Sequence, residues 1–403
     1  MSSDVARDVV VAGAALAGGL AALALARLGL QVKVIEASPR PRSANSDGRS
    51  ISLSLASVRV LEAFDLWPTL AASATPITAV HISESGHFGR LRLSADEMGV
   101  AALGQVVPAE ALLAAIEDAA LAAGVARESP ATAAAAPLAG ELREIAITSA
   151  GAERTIPARL LVIADGAGSE LRESLGIGVR ERRYDSVAWV TTAQAAHPQP
   201  GVAFERFTPE GTLAILPRTG KQVGIVWSLP EARSEEFAAL APEAFLARVE
   251  AAIGGRLGTL EAAAPIRRFP LAETRALAQT AERAVVIGNA AHALHPVAAQ
   301  GFNLTVRDIA ALAECIGSTH EDPGAAPTLA RYARARRRDQ ARTLAFTGAI
   351  RRAGDSDLPL SSPARAAGLF ASELLRPFAR EVARQGMGFA SRPLPALVRG
   401  ARP

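Results

Sequence analysis

Three segments of this chain place glycines beside a lone acid or amide in an order that could hold a pyrophosphate and its neighbouring sugar. In the first, Asp8-Val-Val-Val-Ala12 runs into Gly13-Ala-Ala15-Leu-Ala-Gly18. Backbone N–H groups at such a turn, opening a helix, point at an anion that the helix dipole also favours. The middle glycine of a G-x-G-x-x-G spacing is Ala15 here, so a tight strand-to-helix turn packed with small residues is the competing reading. Glu36 stands 18 residues after Gly18, at the end of the next β-branched run, where a carboxylate bonds ribose hydroxyls. The second segment ends an apolar run at Asp165-Gly166, and the third ends one at Gly288-Asn289 before a loop through Pro296 to Gly301, Phe302 and Asn303. Open parallel sheets bind ligands at the carboxyl ends of their strands, so three such ends could meet on one cofactor.

Other chemistries find little support. There is no H-E-x-x-H and no G-x-S-x-G. The six histidines show no metal-ligand spacing, and metal is expected to be absent. His292 and His295, three apart, could form a metal pair or an acid–base couple, but bracing of the neighbouring loop by hydrogen bonds is the favoured reading. His81 and His87 are assigned to a hairpin or the surface. The single cysteine, Cys315, falls in an apolar helical run and is assigned to the core; one thiol allows neither a disulfide framework nor a cysteine zinc site. That usage points to an intracellular, cytoplasmic protein.

Regular elements must position these residues. Val9 to Ala26 is an uncharged run of 18 residues, long enough to raise a membrane span. Gly13, Gly18 and Gly19 interrupt it and Asp8, Arg27 and Lys33 bracket it, so the better parse is a strand, a turn, a helix over Gly19–Leu28 ended by Gly29, and a strand Gln31–Ile35. A signal peptide would need a basic segment ahead of the run and a cleavage site behind it. With 403 residues, 49% of them hydrophobic and 21% charged, two or three domains and a sizeable core are expected.

The ordered motifs resemble those of the FAD-dependent aromatic-ring hydroxylases of the p-hydroxybenzoate hydroxylase type. Asp47-Gly-Arg-Ser-Ile-Ser-Leu-Ser54, Gly86-His-Phe-Gly89, Ala203-Phe-Glu-Arg-Phe-Thr-Pro-Glu-Gly211, Ala290-Ala-His-Ala-Leu-His-Pro296 and Gln300-Gly-Phe-Asn-Leu304 with Arg307-Asp308 are similar to the ubiquinone-biosynthesis branch. The resemblance runs from about Val9 to Glu314, with an echo at Arg384–Gly388. It implies an α/β fold with a Rossmann-like FAD-binding domain, an inserted antiparallel-sheet substrate domain and a C-terminal helical region. It assigns Gly13, Ala15 and Gly18 to the FAD pyrophosphate, Glu36 to the adenosine ribose, Arg49 and Gln105 to the flavin side, and Asn289 to the ribityl chain. Asp165 and Gly166 would help bind FAD and guide a nicotinamide donor. Pro296, Gly301, Phe302 and Asn303 would form the flavin-edge loop whose amides hold negative charge. The implied reaction is hydroxylation of a polyprenylated phenol through a flavin C4a-hydroperoxide, with O2 and NAD(P)H, in contact with other quinone-biosynthesis proteins. Ala15, Asn289, Ala299, Ala109 and Glu110 depart from the branch's pattern. The ubiquinone branch tolerates Asn at 289; Ala15, Ala299, Ala109 and Glu110 keep open a flavin-poor structural member of a biosynthetic complex, beside a hydroxylase of a soluble small aromatic.

Interruptions of the cofactor pattern predict the domains: 1–74, 101–183 and 271–345 for FAD, 75–100 and 184–270 for substrate, and 346–403 as a basic helical region. Ala131 to Ala136 suggests a linker, and Ser234 to Ala252 a helical stretch with Pro242 at a first helical position. Helical patterns around Thr343–Arg352 and Pro363–Gln385 follow, with Pro377 expected to kink or split the second. Residues 331–403 hold 15 arginines against five acids, a net +10 that leaves −7 elsewhere. Leu369, Phe370, Leu374, Leu375 and Phe378 recur among Arg365, Arg376, Arg380 and Arg384. Two readings follow: a helix packed on the FAD domain with a solvated basic face, or peripheral docking on the inner face of the membrane. Aromatics at 4% and no basic stripe with stacking residues exclude a nucleic-acid partner.

Overall fold

The computed structural model describes residues 7–39, 48–318, 322–354, 367–369, 375–390 and 394–400. Short β-branched runs and an alanine-rich helix build the first layer. Strands Arg7–Ala12, Val32–Ile35, Ala126–Glu128, Ala152–Ile163 and Ala284–Val286 form its parallel core, with Arg7–Ala12 at the centre between Val32–Ile35 and Ala152–Ile163. Strands buried on both faces are nearly continuously apolar, as Val9 to Val11 and Leu160 to Ile163 are. Helices Leu16–Ala26 and Gln300–Gly317 cover one face.

The register decides what the sheet can hold. Ala12 lies beside Ile163, and Ile163 beside Val286, so the three strands that precede the glycine segments end in line.

Ala79–Glu84 and Arg90–Ser94 join strands of the second insertion in one nine-stranded sheet, through a parallel pairing with Val202–Thr208. Its far face carries helices Ser234–Ala238 and Pro242–Ile253, the latter with Pro242 in its first turn, around a core of Trp189, Trp227, Phe237 and Phe245. A small sheet of Ser50–Ser54, Gly104–Pro108 and Thr75–Ile77 lies apart from both.

The structure differs from the sequence expectations at particular elements. The segment proposed as a linker is strand Thr132–Ala139, paired with Leu142–Ser149; half-buried alanines hide the alternation that would reveal it. Helix Ala326–Gly354 runs on past residue 345, and strand Arg267–Ala276 of the second sheet runs past residue 270. Pro377 lies in the first turn of helix Arg376–Gly386, just after non-helical Leu375, in keeping with the split expected there, since its fixed φ and missing N–H suit a first turn. Gly301, Phe302 and Asn303, expected in the loop, form the first turn of helix Gln300–Gly317, and a short 3-10 turn over Val297–Ala299 precedes it. Asp47, Arg365, Phe370 and Leu374 lie outside the described residues.

Candidate active site at the strand ends and the adjoining cavity

Close packing leaves the first turn no choice of residue. Gly13 has φ +97°, and a Cβ there would stand 2.5 Å from the Ala164 carbonyl oxygen; a Cβ on Gly18 would stand 1.9 Å from the Gly13 oxygen. Ala15 caps helix Leu16–Ala26 with φ −68° and ψ −175°, extended backbone that any residue adopts, so the fold itself asks for no glycine there. Glu36 is buried; its Oε2 accepts the Ala14 N–H at 2.7 Å and its Oε1 the Ser38 N–H at 2.9 Å. The carboxylate therefore braces the turn from the neighbouring strand. Asp165 and Asn289 are exposed beyond the two adjacent strands, and Gly166 at φ +109° and Gly288 at φ +64° make their turns. Gly288 also sits against the first helix, where a Cβ would come within 2.7 Å of Ala17. These features fit an extended dinucleotide: an anion cradle with no room for side chains, a helix N-terminus, and three polar side chains at the strand ends.

The remaining candidates gather on the small sheet and the second helix. Arg49 is exposed, with its guanidinium carbon 5.6 Å from the centre of the Phe269 ring. Gln105 is half-buried on the middle strand, opposite Leu53. Asn303 is fully engaged by its side chain. Its Oδ1 accepts from the Ser54 N–H and the Ser57 hydroxyl, each at 2.7 Å, while its Nδ2 donates to the Ser52 and Ala299 carbonyls at 2.8 and 2.7 Å. What Asn303 offers a cofactor is therefore placement of the turn, not its amide. Ala298 and Ala299 are both left-handed, at φ 59° and 49°, and swing the chain so that the helix opens directly after Ala299. Its first N–H groups, from Gln300 onward, have no partner within the helix.

The two histidines brace the structure separately. His292 Nε2 meets Asp308 Oδ2 at 2.5 Å, and His295 Nδ1 accepts the Val297 N–H at 3.2 Å. Asp308 also receives Arg336 at 2.6 Å, and Asp339 receives Arg307 at 2.8 Å and Arg336 at 2.5 Å, all buried. Arg336 comes from the arginine-rich start of residues 331–403. Its burial was not legible because its partners lie on another helix.

Beside this helix N-terminus opens an apolar cavity of about 880 Å³, walled by Val80, Ile82 and Phe207 from the large sheet, Ser54 from the small sheet, Phe346 and Ile350 from Ala326–Gly354, and Val382 from Arg376–Gly386. Ala298, Gln300 and Asn303 line its inner end. Glu205 and Gln300 bring polar atoms into it, and Arg218 holds the Gly48–Ser50 corner by donating to the Gly48 carbonyl at 2.9 Å. None of these three was picked out as a site residue from the sequence, since each acts through long-range packing.

Residues 6–347 match the FAD binding domain family. The chain belongs to that family. It is 34% identical over 397 residues to the ubiquinone hydroxylase UbiL of Rhodospirillum rubrum, covering 96% of this chain and 91% of that protein. It is 30% identical to the 3-demethoxyubiquinol 3-hydroxylase of Escherichia coli, over 81% of this chain and 84% of that one. Its fold matches p-nitrophenol 4-monooxygenase PnpA of Pseudomonas putida with a TM-score of 0.78 at 15% identity, over 97% of this chain and all of that one. The family and the α/β fold expected from the motifs are thus both met.

Proposed function

We propose that this protein is an FAD-dependent monooxygenase that hydroxylates the aromatic ring of a polyprenylated phenol in ubiquinone biosynthesis, drawing electrons from NAD(P)H. The observation that carries the reading is the apolar cavity of about 880 Å³ beginning at the Ala298–Gln300 turn. A phenol ring at its inner end leaves most of the apolar length for a prenyl tail, whereas a small soluble aromatic would leave that length empty. Gly13, Ala15, Gly18 and the helix start would hold the FAD pyrophosphate, Glu36 the ribose, and Asp165, Gly166 and Asn289 the middle of the molecule. Arg49 and Gln105 would flank the flavin. When bound, FAD supplies the oxygen chemistry, and the protein supplies binding, orientation and exclusion of water. The N–H groups opening helix Gln300–Gly317 would stabilise negative charge at the edge of a bound flavin without reorganising. Among the described residues no helix is long and apolar enough to cross a membrane. A prenylated substrate, poorly soluble in water, would reach the cavity from a membrane surface or a protein carrier.

The test is product analysis. Protein loaded with FAD, reduced, and exposed to isotopically labelled O2 with a short-chain prenylated phenol should place one labelled oxygen on the ring. Retained flavin with no ring label, and turnover of soluble phenols instead, would overturn the prenylated substrate.

A further inference from the structure

One charged side chain in the cavity has no structural task. Glu205 sits in the middle of strand Val202–Thr208, opposite Ile82 on one neighbour and Ala214 on the other. It lines the cavity together with Ile82, Leu91, Leu93 and Phe207. No ion pair and no side-chain hydrogen bond reaches it from the described residues. The next residue, Arg206, donates instead to the Ser83 hydroxyl at 3.1 Å. At the inner end of the same cavity, buried Gln300 has its side-chain oxygen without a partner. An apolar chamber with two unanswered acceptors suits a ligand that is mostly hydrocarbon and carries hydroxyl hydrogens.

Resting on the prenylated-phenol reading above, we propose that Glu205 is the group that accepts the substrate's ring hydroxyl hydrogen and thereby fixes which edge of the ring faces the Ala298–Gln300 turn. The contact is a hydrogen bond from phenol O–H to carboxylate; if the proton moves, the O–H bond of the phenol breaks, one forms on Glu205, and the ring keeps the electron pair. Burial supports the assignment by pushing the Glu205 carboxyl up to about 7. The other titratable groups lining the chamber are Arg342, whose guanidinium donates to the Ala390 carbonyl, and Glu381, which is exposed. Above its titration the ionised carboxylate accepts from a phenol; below it the neutral acid can donate to an ether oxygen.

Affinity of the FAD-loaded protein for a short-chain prenylated phenol and for its O-methyl ether, measured by equilibrium dialysis from about pH 6 to about pH 8, tests this. Wild type should prefer the phenol by at least about tenfold at the upper end, narrowing toward the lower. Glu205→Leu should bring the ratio near one at every pH while raising the thermal midpoint, because an unpaired carboxylate leaves an apolar wall; a merely structural Glu205 would lower it. Glu205→Gln should retain binding without the pH response. An unchanged preference and pH response in Glu205→Leu would overturn the proposal, as would a wild-type preference independent of pH should that variant fail to retain FAD. Tight binding of both probes without discrimination overturns Glu205's role alone. Failure of FAD-loaded wild type to bind either probe overturns the prenylated-phenol reading as well.

Discussion

At the scale of single residues, glycines carry the site because backbone approaches backbone. Gly18→Ala would set a methyl carbon 1.9 Å from the Gly13 oxygen, so the turn must open. We expect FAD affinity to fall at least about tenfold, by dialysis against free flavin, for a local cost of about 1–3 kcal/mol. Ala15→Gly is the contrasting change. Its backbone is already extended, so the unfolding midpoint should stay put and only FAD affinity should tighten, if the methyl meets the phosphate. Equal loss of affinity and stability in both variants would mean that the turn is packing alone. Gly18 and Glu36 were legible because their constraint is local, within one strand–helix–strand unit, whereas the clash that a side chain at Gly13 would make is with Ala164 on a distant strand. Asn303 shows the other case, since its amide is engaged by Ser52, Ser54 and Ser57, some 250 positions away in the chain. Only the fold reveals that a residue at the flavin-edge turn is a clamp.

At the scale of elements, buried charge holds helix Gln300–Gly317 against Ala326–Gly354. Arg307 and Arg336 share Asp339, and Arg336 also reaches Asp308, which is fully buried. Removing one partner leaves buried charge uncompensated, so Asp339→Ala should cost about 3–5 kcal/mol. Urea denaturation followed by tryptophan fluorescence measures it, and a loss below about 1 kcal/mol would show the network to be weakly coupled. Burial alone would push both carboxyls up. Arg336 and His292 at Asp308, and Arg307 and Arg336 at Asp339, override it and hold both below the usual carboxylate range. Folded pKa values lowered in this way contribute stability that is present above the unfolded value near 3.9, and lost as pH falls toward the folded values. We therefore expect the urea midpoint to drop below about pH 4 in the wild type, and to drop less in Asp339→Ala. The strand order was legible from apolar runs, but Thr132–Ala139 and the unbroken Ala326–Gly354 were not. Alanine carries little period, and an arginine run looks solvated until its acids are found.

At the scale of the whole molecule, the basic balance of the C-terminal region is partly spent inside. Arg336 is buried in the network, and Arg331 donates to the Cys315 carbonyl at 2.8 Å, so the +10 overstates the surface charge. Arg334, Arg337, Arg338 and Arg342 remain exposed on Ala326–Gly354, and a second outward group lies further along the chain. On helix Arg376–Gly386 and the residue before it, Arg376 and Arg380 are exposed beside Leu375 at 58% and Phe378 at 52% exposure. Phe378, Val382 and Gln385 on the same helix also line the cavity. One short amphipathic helix thus shows apolar and basic groups to the outside and walls the chamber proposed for a prenylated ring. Such a helix binds an anionic surface by burying its apolar side chains and drawing on lipid charge. Docking there would let a substrate pass from the bilayer into the cavity without crossing water. Sedimentation with vesicles should then rise with anionic lipid content and fall with added salt, as screening shortens to about 8 Å at physiological ionic strength. Leu375→Ser with Phe378→Ser should weaken binding even at low salt, whereas Arg376→Gln with Arg380→Gln should remove chiefly its salt-dependent part. The arginine pair should leave turnover of a detergent-dispersed substrate within about threefold of wild type, because neither arginine lines the cavity. Binding that ignores salt, lipid charge and all four substitutions would assign delivery of the prenylated phenol to a protein partner and leave the helix as a wall of the chamber.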